Sequence, residues 1–372
     1  MKRAGMLVLL LALLCLSARA QTLDEGINSV LGSMDLAVLE EKSGQQDLRR
    51  LLLALAKGEL VWDAGQVLSA VKELFLGEMT VGSRRMLGLL SPSMLCALAG
   101  ILRGKNRAVA AMAENACFLA LAAVMASDLK AYLLEAERAI THMNELMQLL
   151  FPLLLTLLAA VGSTAGAALF QPAIAAASGT MTTLVRSVSL PMAMGVAVVS
   201  IVDGLSEKMR LRRLALLLRT CATWTLGISF TVFIGVTAMQ GVTAGTADGV
   251  SIRAAKYAVD HFVPVVGGMF ADTMDTLVGC SLLVKNALGV TGLAILMTAA
   301  GVPMIRTLCA ALMYRLCAAL LQPVAQERVG TTLQSFSDVL TLLFVIELSV
   351  SAMFLLLIAQ MLTVGNATVT LR

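Results

Sequence analysis

Forty consecutive residues, Leu146 to Val185, carry no charge, bounded by Glu145 and Arg186. A helix of about 20 apolar residues spans the ~30 Å hydrocarbon core of a bilayer. The stretch therefore holds two crossings, or one crossing and a re-entrant piece. Inside lipid every backbone N–H and C=O needs an internal partner, which selects helices for such segments.

The rest of the chain conforms. Of 372 residues 58% are hydrophobic and 14% charged, against roughly 25% charged in soluble domains. Mean hydropathy is +0.86. The fold class expected is all-α: a polytopic integral membrane protein of about seven transmembrane helices, plus or minus one. Candidate spans are 86–102, 108–126, 147–168, 187–202, 220–247, 276–303, a weaker 307–321, and 340–364. A net charge of +4, concentrated in short loops and without interleaved aromatics, argues against nucleic acid.

Ahead of these spans, Lys2 and Arg3, the apolar run Met6–Leu16 and Ala18-Arg19-Ala20 predict a signal peptide (1–20) cleaved before Gln21. An uncleaved anchor is the alternative. Residues 21–85 form an extracytoplasmic region with apolar residues at helical spacing (Leu51, Leu52, Leu55; Val67, Val71, Leu74, Phe75). Such helices lie on a membrane surface, on a partner or on each other. Residues 86–372 form the transmembrane domain.

Loop charges orient the spans. Arg103, Lys105 and Arg107 cluster in one turn, and Lys208, Arg210, Arg212 and Arg213 in another; both are expected to be cytoplasmic. An even number of crossings must separate them, with Pro172 and Gly179 as interruption points in the uncharged forty. Ser127–Glu145 and Gly241–Asp275 are expected as external loops. Phe170-Gln-Pro172 before Thr180–Val185 has a weak echo in Phe262-Val-Pro264 before Thr273–Val278. In transporters, such paired Pro interruptions mark discontinuous helices.

The polar segment Lys256–Gly289 concentrates what chemistry the chain offers. It holds Asp260, His261, Asp272, Asp275, Lys285 and Asn286, with a helix break expected at Pro264, Gly267 and Gly268. Asp272 and Asp275 share a helical face. They can bind a cation or relay protons, neutralise Lys285, or sit solvated among headgroups. Ser281 and Lys285, four apart, could form a dyad, but Ser281 at a helix interface and Lys285 in a pair or wet cavity is the simpler reading. No zinc spacing, phosphate cradle or nucleophile elbow is present, so neither catalysis nor a metal or cofactor is expected. Gly279, Ala287, Gly289 and Gly292 fit close helix packing. The six cysteines beyond Cys15 are expected as buried hydrophobes. Glu114, Arg315 and Glu347 are further polar intrusions.

The run YAVDHFVPVVGGMFADTMDTLVGCSLLVKNALG, from Tyr257, resembles the stage III sporulation protein AE family of endospore-forming bacteria. The likeness extends over the signal, the amphipathic region and the polytopic domain. It implies a subunit of a channel or secretion complex in the mother-cell membrane around the forespore, needed for forespore development. Implied partners are other proteins of the operon, including the AA ATPase and ring-forming AH, and indirectly stage II sporulation protein Q. In that role the segment Asp260–Asn286 lines a passage or contacts a subunit. The alternative is a secondary transporter for a small solute, with a polar site at Asp272, Asp275 and Lys285.

Overall fold

The computed structural model describes residues 27, 52–55, 64–101, 107–205, 211–262, 267–323 and 327–370. All long elements among them are helices: α1 Ala64–Ile101, α2 Arg107–Ala160, α3 Thr164–Ala175, α4 Leu190–Leu205, α5 Arg212–Phe262, α6 Gly267–Leu321 and α7 Glu327–Thr370. Between α3 and α4 the chain stays helical through two π-helical segments, Ala176–Met181 and Val185–Ser189. Five helices are long and apolar enough to cross a membrane: 115–160, 179–204, 212–241, 278–321 and 327–364. The chain is an all-α polytopic membrane protein.

The helices are longer than the apolar runs suggest. α2 has 54 residues and α6 has 55, roughly 80 Å each and more than twice the hydrocarbon thickness. The expected span 108–126 is therefore fused with the first part of 147–168, up to Ala160, and 276–303 with 307–321. Pro152 and Pro303 lie inside these helices without ending them.

Ser127–Glu145, expected as an external loop, is the middle of α2. Three of its acids meet partners on other parts of the chain. Asp128 accepts from Tyr314 on α6 at 2.7 Å, Glu135 from Arg306 on α6 at 2.8 Å, and Glu137 from Arg186 at 3.3 Å. Gly241–Asp275 likewise is mostly helix: α5 runs to Phe262 and α6 starts at Gly267.

The uncharged forty residues are broken at Gly162 rather than at Pro172 or Gly179. Gly162 has φ 96°, a conformation that costs other residues about 1–2 kcal/mol. Its N–H donates to Ala159 O at 2.9 Å and that of Ser163 to Leu158 O at 3.1 Å, the paired bonds of a Schellman ending. Pro172 sits inside α3, and Gly179 in the first π segment. The first copy of the weak repeat lies within continuous helix, and Pro264 of the second lies outside the described residues.

Successive helices run up and down. The basic turns share one end, because Arg328 at the start of α7 joins the flanking elements. Its Nη1 donates to Asn115 Oδ1 on α2 at 2.9 Å and its Nε to Gly204 O at the end of α4. Its guanidinium also lies 4.3 Å from the centre of the Phe118 ring. A Cβ on Gly204 would come within 2.5 Å of Phe118 and 2.6 Å of Thr332 Oγ1, so only glycine lets α2, α4 and α7 converge here. Two traverses, α2 and the α3–α4 segment, separate the basic turns, as an even count requires. α7 then ends opposite to them.

The core is a single apolar seam in which α7 is central. Leu333, Phe336, Leu340, Leu343, Ile346, Leu357 and Ile358 are all 0% exposed. α7 packs on α6, α5, α4 and α2, whereas α1 packs on α2 and α6. Polar groups fasten the helices where apolar packing against lipid gives no preference. Ser337 Oγ donates to Ala311 O at 2.7 Å, and Gln360 Nε2 to Thr237 Oγ1 at 3.3 Å.

Candidate functional site

The polar segment singled out by sequence spans the end of α5 and the first turns of α6. Asp260 belongs to the last turn of α5, Gly267 and Gly268 open α6, and Asp272 and Asp275 follow. The side chains of these residues, and Pro264 altogether, lie outside the described residues.

Lys285 and Asn286 are described. Lys285 is 1% exposed and its Nζ donates to Leu362 O on α7 at 3.1 Å. Asp275 starts ten residues earlier on the same continuous helix, about 15 Å along the axis, beyond the span of a four-carbon stem. Ser281 is buried one turn from Lys285. Asn286 Oδ1 is buried without a hydrogen-bond partner, as are Gln360 Oε1 and Gln240 Oε1 at this end of α5 and α7.

Small residues set the spacing next to this layer. A Cβ on Gly289 would fall 2.8 Å from Leu362 Cγ, and one on Gly292 would fall 3.2 Å from Leu150 Cδ1. Gly279 meets nothing within 4 Å. Cys280, Cys309 and Cys317 are buried and form no disulfide, and the Cys309 thiol lies 4.0 Å from Phe75 O, while Cys221 is exposed.

A second polar site, missed by the sequence reading, joins three helices. Arg306 of α6 bonds Glu78 Oε1 of α1 through Nε and Glu135 Oε1 of α2 through Nη1, both at 2.8 Å. With Val81 and Tyr132 these groups line a cavity of about 300 Å³. The adjacent residue, Thr307, faces α7, where its hydroxyl lies 3.5 Å from Glu347 Oε1. Glu347 is 0% exposed and its Oε2 has no partner. Two carboxyl groups thus flank one guanidinium where α1, α2 and α6 meet, and a third is buried against Thr307 on the α7 side. Ionisable groups at bilayer depth cost about 2.5–3.5 kcal/mol each on insertion scales, and Glu347 and Lys285 are buried ionisable side chains in helices able to cross a membrane. The legible signal was Arg306 itself, the one charge between Lys285 and Arg315. It was absorbed into an expected gap between two spans.

Among the described residues no three His, Cys, Asp or Glu side chains are placed to hold a metal ion. The arrangement can clamp helices together, hold charge at depth and present it to a neighbour.

Comparison with known proteins decides the family. The model of the stage III sporulation protein AE family matches residues 46–365. The chain belongs to the stage III sporulation protein AE family. It is 31% identical over 323 residues to stage III sporulation protein AE of Bacillus subtilis (strain 168), covering 86% of this chain and 81% of that protein. No solved structure matches. The family match includes Glu78, Glu135, Lys285, Arg306 and Glu347, so both polar sites belong to the AE portion of the chain. The recognition made from the run at Tyr257 holds, and the chain is a sporulation membrane protein.

Proposed function

We propose that this AE-family protein is a membrane subunit of the sporulation-specific channel or secretion assembly joining mother cell and forespore. It resides in the mother-cell membrane around the forespore and acts without catalysing a reaction. The observation that carries the reading is the family match across nearly all of a bundle with five membrane-crossing helices. The charged clusters support it, because half-exposed charges on helices of this apolarity suit contact with other subunits or a wet passage. Its partners are then the stage III operon proteins, the AA ATPase and ring-forming AH among them, with stage II protein Q reached indirectly.

Affinity capture of the full chain from sporulating cells tests this, together with its localisation by fluorescence. Recovery of operon proteins and signal confined to the membrane engulfing the forespore are expected. Solute flux driven by the purified chain alone in liposomes, with no sporulation partner captured, would overturn it in favour of a secondary transporter.

A further inference from the structure

Two charged triads lie on opposite faces of α6. On one face Arg306 is held between Glu78 and Glu135, giving two acids and one base. On the other, Asp338 of α7 lies 3.1 Å from Arg219 of α5 and 3.9 Å from Arg315 of α6, giving two bases and one acid. Arg306 and Arg315 are nine residues apart, two and a half turns at 3.6 residues per turn, which puts them on opposite sides of the helix. The bundle separates them further. α1 packs on α2 and α6, while α5 packs chiefly on α7, α4 and α3 and only slightly on α6.

The two faces differ in shape as well as sign. The net-negative triad is recessed in its cavity of about 300 Å³. The net-positive triad projects: Arg315 is 61% exposed, and only its Nη2 approaches Asp338. Arg315 lies roughly 13 Å from Arg306 along α6, but Asp338 and the α1 edge of the cavity share one level. Ser337 bonds Ala311, which sets Asp338 near the level of residue 311 of α6. Gly82 packs on Met313, a Cβ there lying 3.1 Å from Met313 Cγ, which sets Val81 near the level of Leu312. Val81 (49% exposed) and Leu312 (41% exposed) are apolar neighbours of the negative and positive triads respectively.

We propose that copies of this chain associate head to tail in the membrane. The α5–α7 face of one copy docks on the α1–α2 face of the next, and Arg315 enters the cavity beside Glu78 and Glu135. The long Arg315 side chain then brings each unbalanced charge to its opposite, away from lipid. The contact uses two different surfaces, so it propagates into a ring or an open chain and does not close as a symmetric dimer.

The test uses the full chain expressed alone in a non-sporulating host and treated in membranes with a short bis-maleimide, the unaltered chain marking the background from native cysteines. The Val81→Cys/Leu312→Cys double variant is expected to give a ladder of dimer, trimer and higher species. Mixed single variants should stop at dimer. Arg315→Glu in the double variant should reduce the ladder at least tenfold with an unchanged gel-filtration profile, whereas Arg315→Lys keeps most of it. Should Arg315→Glu fail to fold, Glu78→Gln/Glu135→Gln removes the opposing charges and the same loss is expected. A ladder insensitive to both changes, a dimer from Val81→Cys alone, or a ladder seen only in sporulating cells would overturn the proposal, the last assigning the face to a different protein.

Discussion

Lys285 of α6 gives its ammonium to the backbone carbonyl of Leu362 on α7 across 3.1 Å, at 1% exposure. A buried charge satisfied by one neutral acceptor is a weak source of stability. Lys285→Met keeps the stem and removes the charge, so thermal stability in detergent should stay level or rise. Lys285→Ala leaves a cavity and should lower it by about 2–4 kcal/mol. If Lys285→Met also supports full sporulation, the residue is a fastener; sporulation lost at full stability would give it a part in the passage.

One turn on, Gly289 lies against the side chain of the same Leu362. Gly289→Val should force α6 and α7 apart, at about 1–3 kcal/mol. Leu362→Ala opens space for the new methyls, so the double variant should be more stable than the two separate losses predict. A double-mutant cycle on thermal unfolding measures this, and simple additivity would show that the helices do not meet there.

Gly162 closes α2 with φ 96°. Gly162→Ala should destabilise by about 1–2 kcal/mol, and Gly162→Asn by less, because Asn tolerates the left-handed region. Equal losses in the two would argue against the conformation.

What sequence could and could not reveal follows from the range of the forces involved. Apolar runs announce helices and membrane because burial of Leu146–Val185 is a local property of the stretch. The ends of those helices were harder to place. Asp128, Glu135 and Glu137 look like loop residues until their partners Tyr314, Arg306 and Arg186, far away in sequence, are seen. Gly162 was passed over for Pro172 because a glycine shows its left-handed φ only in the folded chain. Lys285 stands out in the sequence as a charge in an apolar run, but its partner is a backbone carbonyl, which no side-chain pattern encodes. The Tyr257 run identified the family, yet the Arg306 clamp was invisible for the same reason as the acids of α2: its members come from three helices.

Arg306 presents one fork to two carboxylates, Nε to Glu78 and Nη1 to Glu135. Lys is a point charge and cannot serve both in this geometry. Arg306→Met should cost about 1–3 kcal/mol, less than a fully buried pair because Arg306 is 45% exposed. Arg306→Lys should recover only part of the loss. Adding Glu78→Gln and Glu135→Gln to Arg306→Met should restore stability by removing the stranded acids. Thermal unfolding of the four proteins gives the answer, and equal stability of Arg306→Met and the wild type would reduce the clamp to a surface contact.

Glu347 is the sharper probe of function, because its carboxyl is wholly buried with one oxygen near Thr307 and the other without a partner. A buried carboxyl with an unmet oxygen does little for the fold. Glu347→Gln preserves the shape and removes the ionisable group, so stability should be unchanged or higher. Glu347→Ala should lower it by leaving a void in the α6–α7 seam. Stability and spore yield are then expected to part company: with the fold intact in Glu347→Gln, a group retained in the core against its own cost should be required for sporulation, and yield should fall at least tenfold. Wild-type spore yield from a stable Glu347→Gln protein would mean that the carboxyl is only tolerated there, and that the polar layer at Lys285 is the place to look instead.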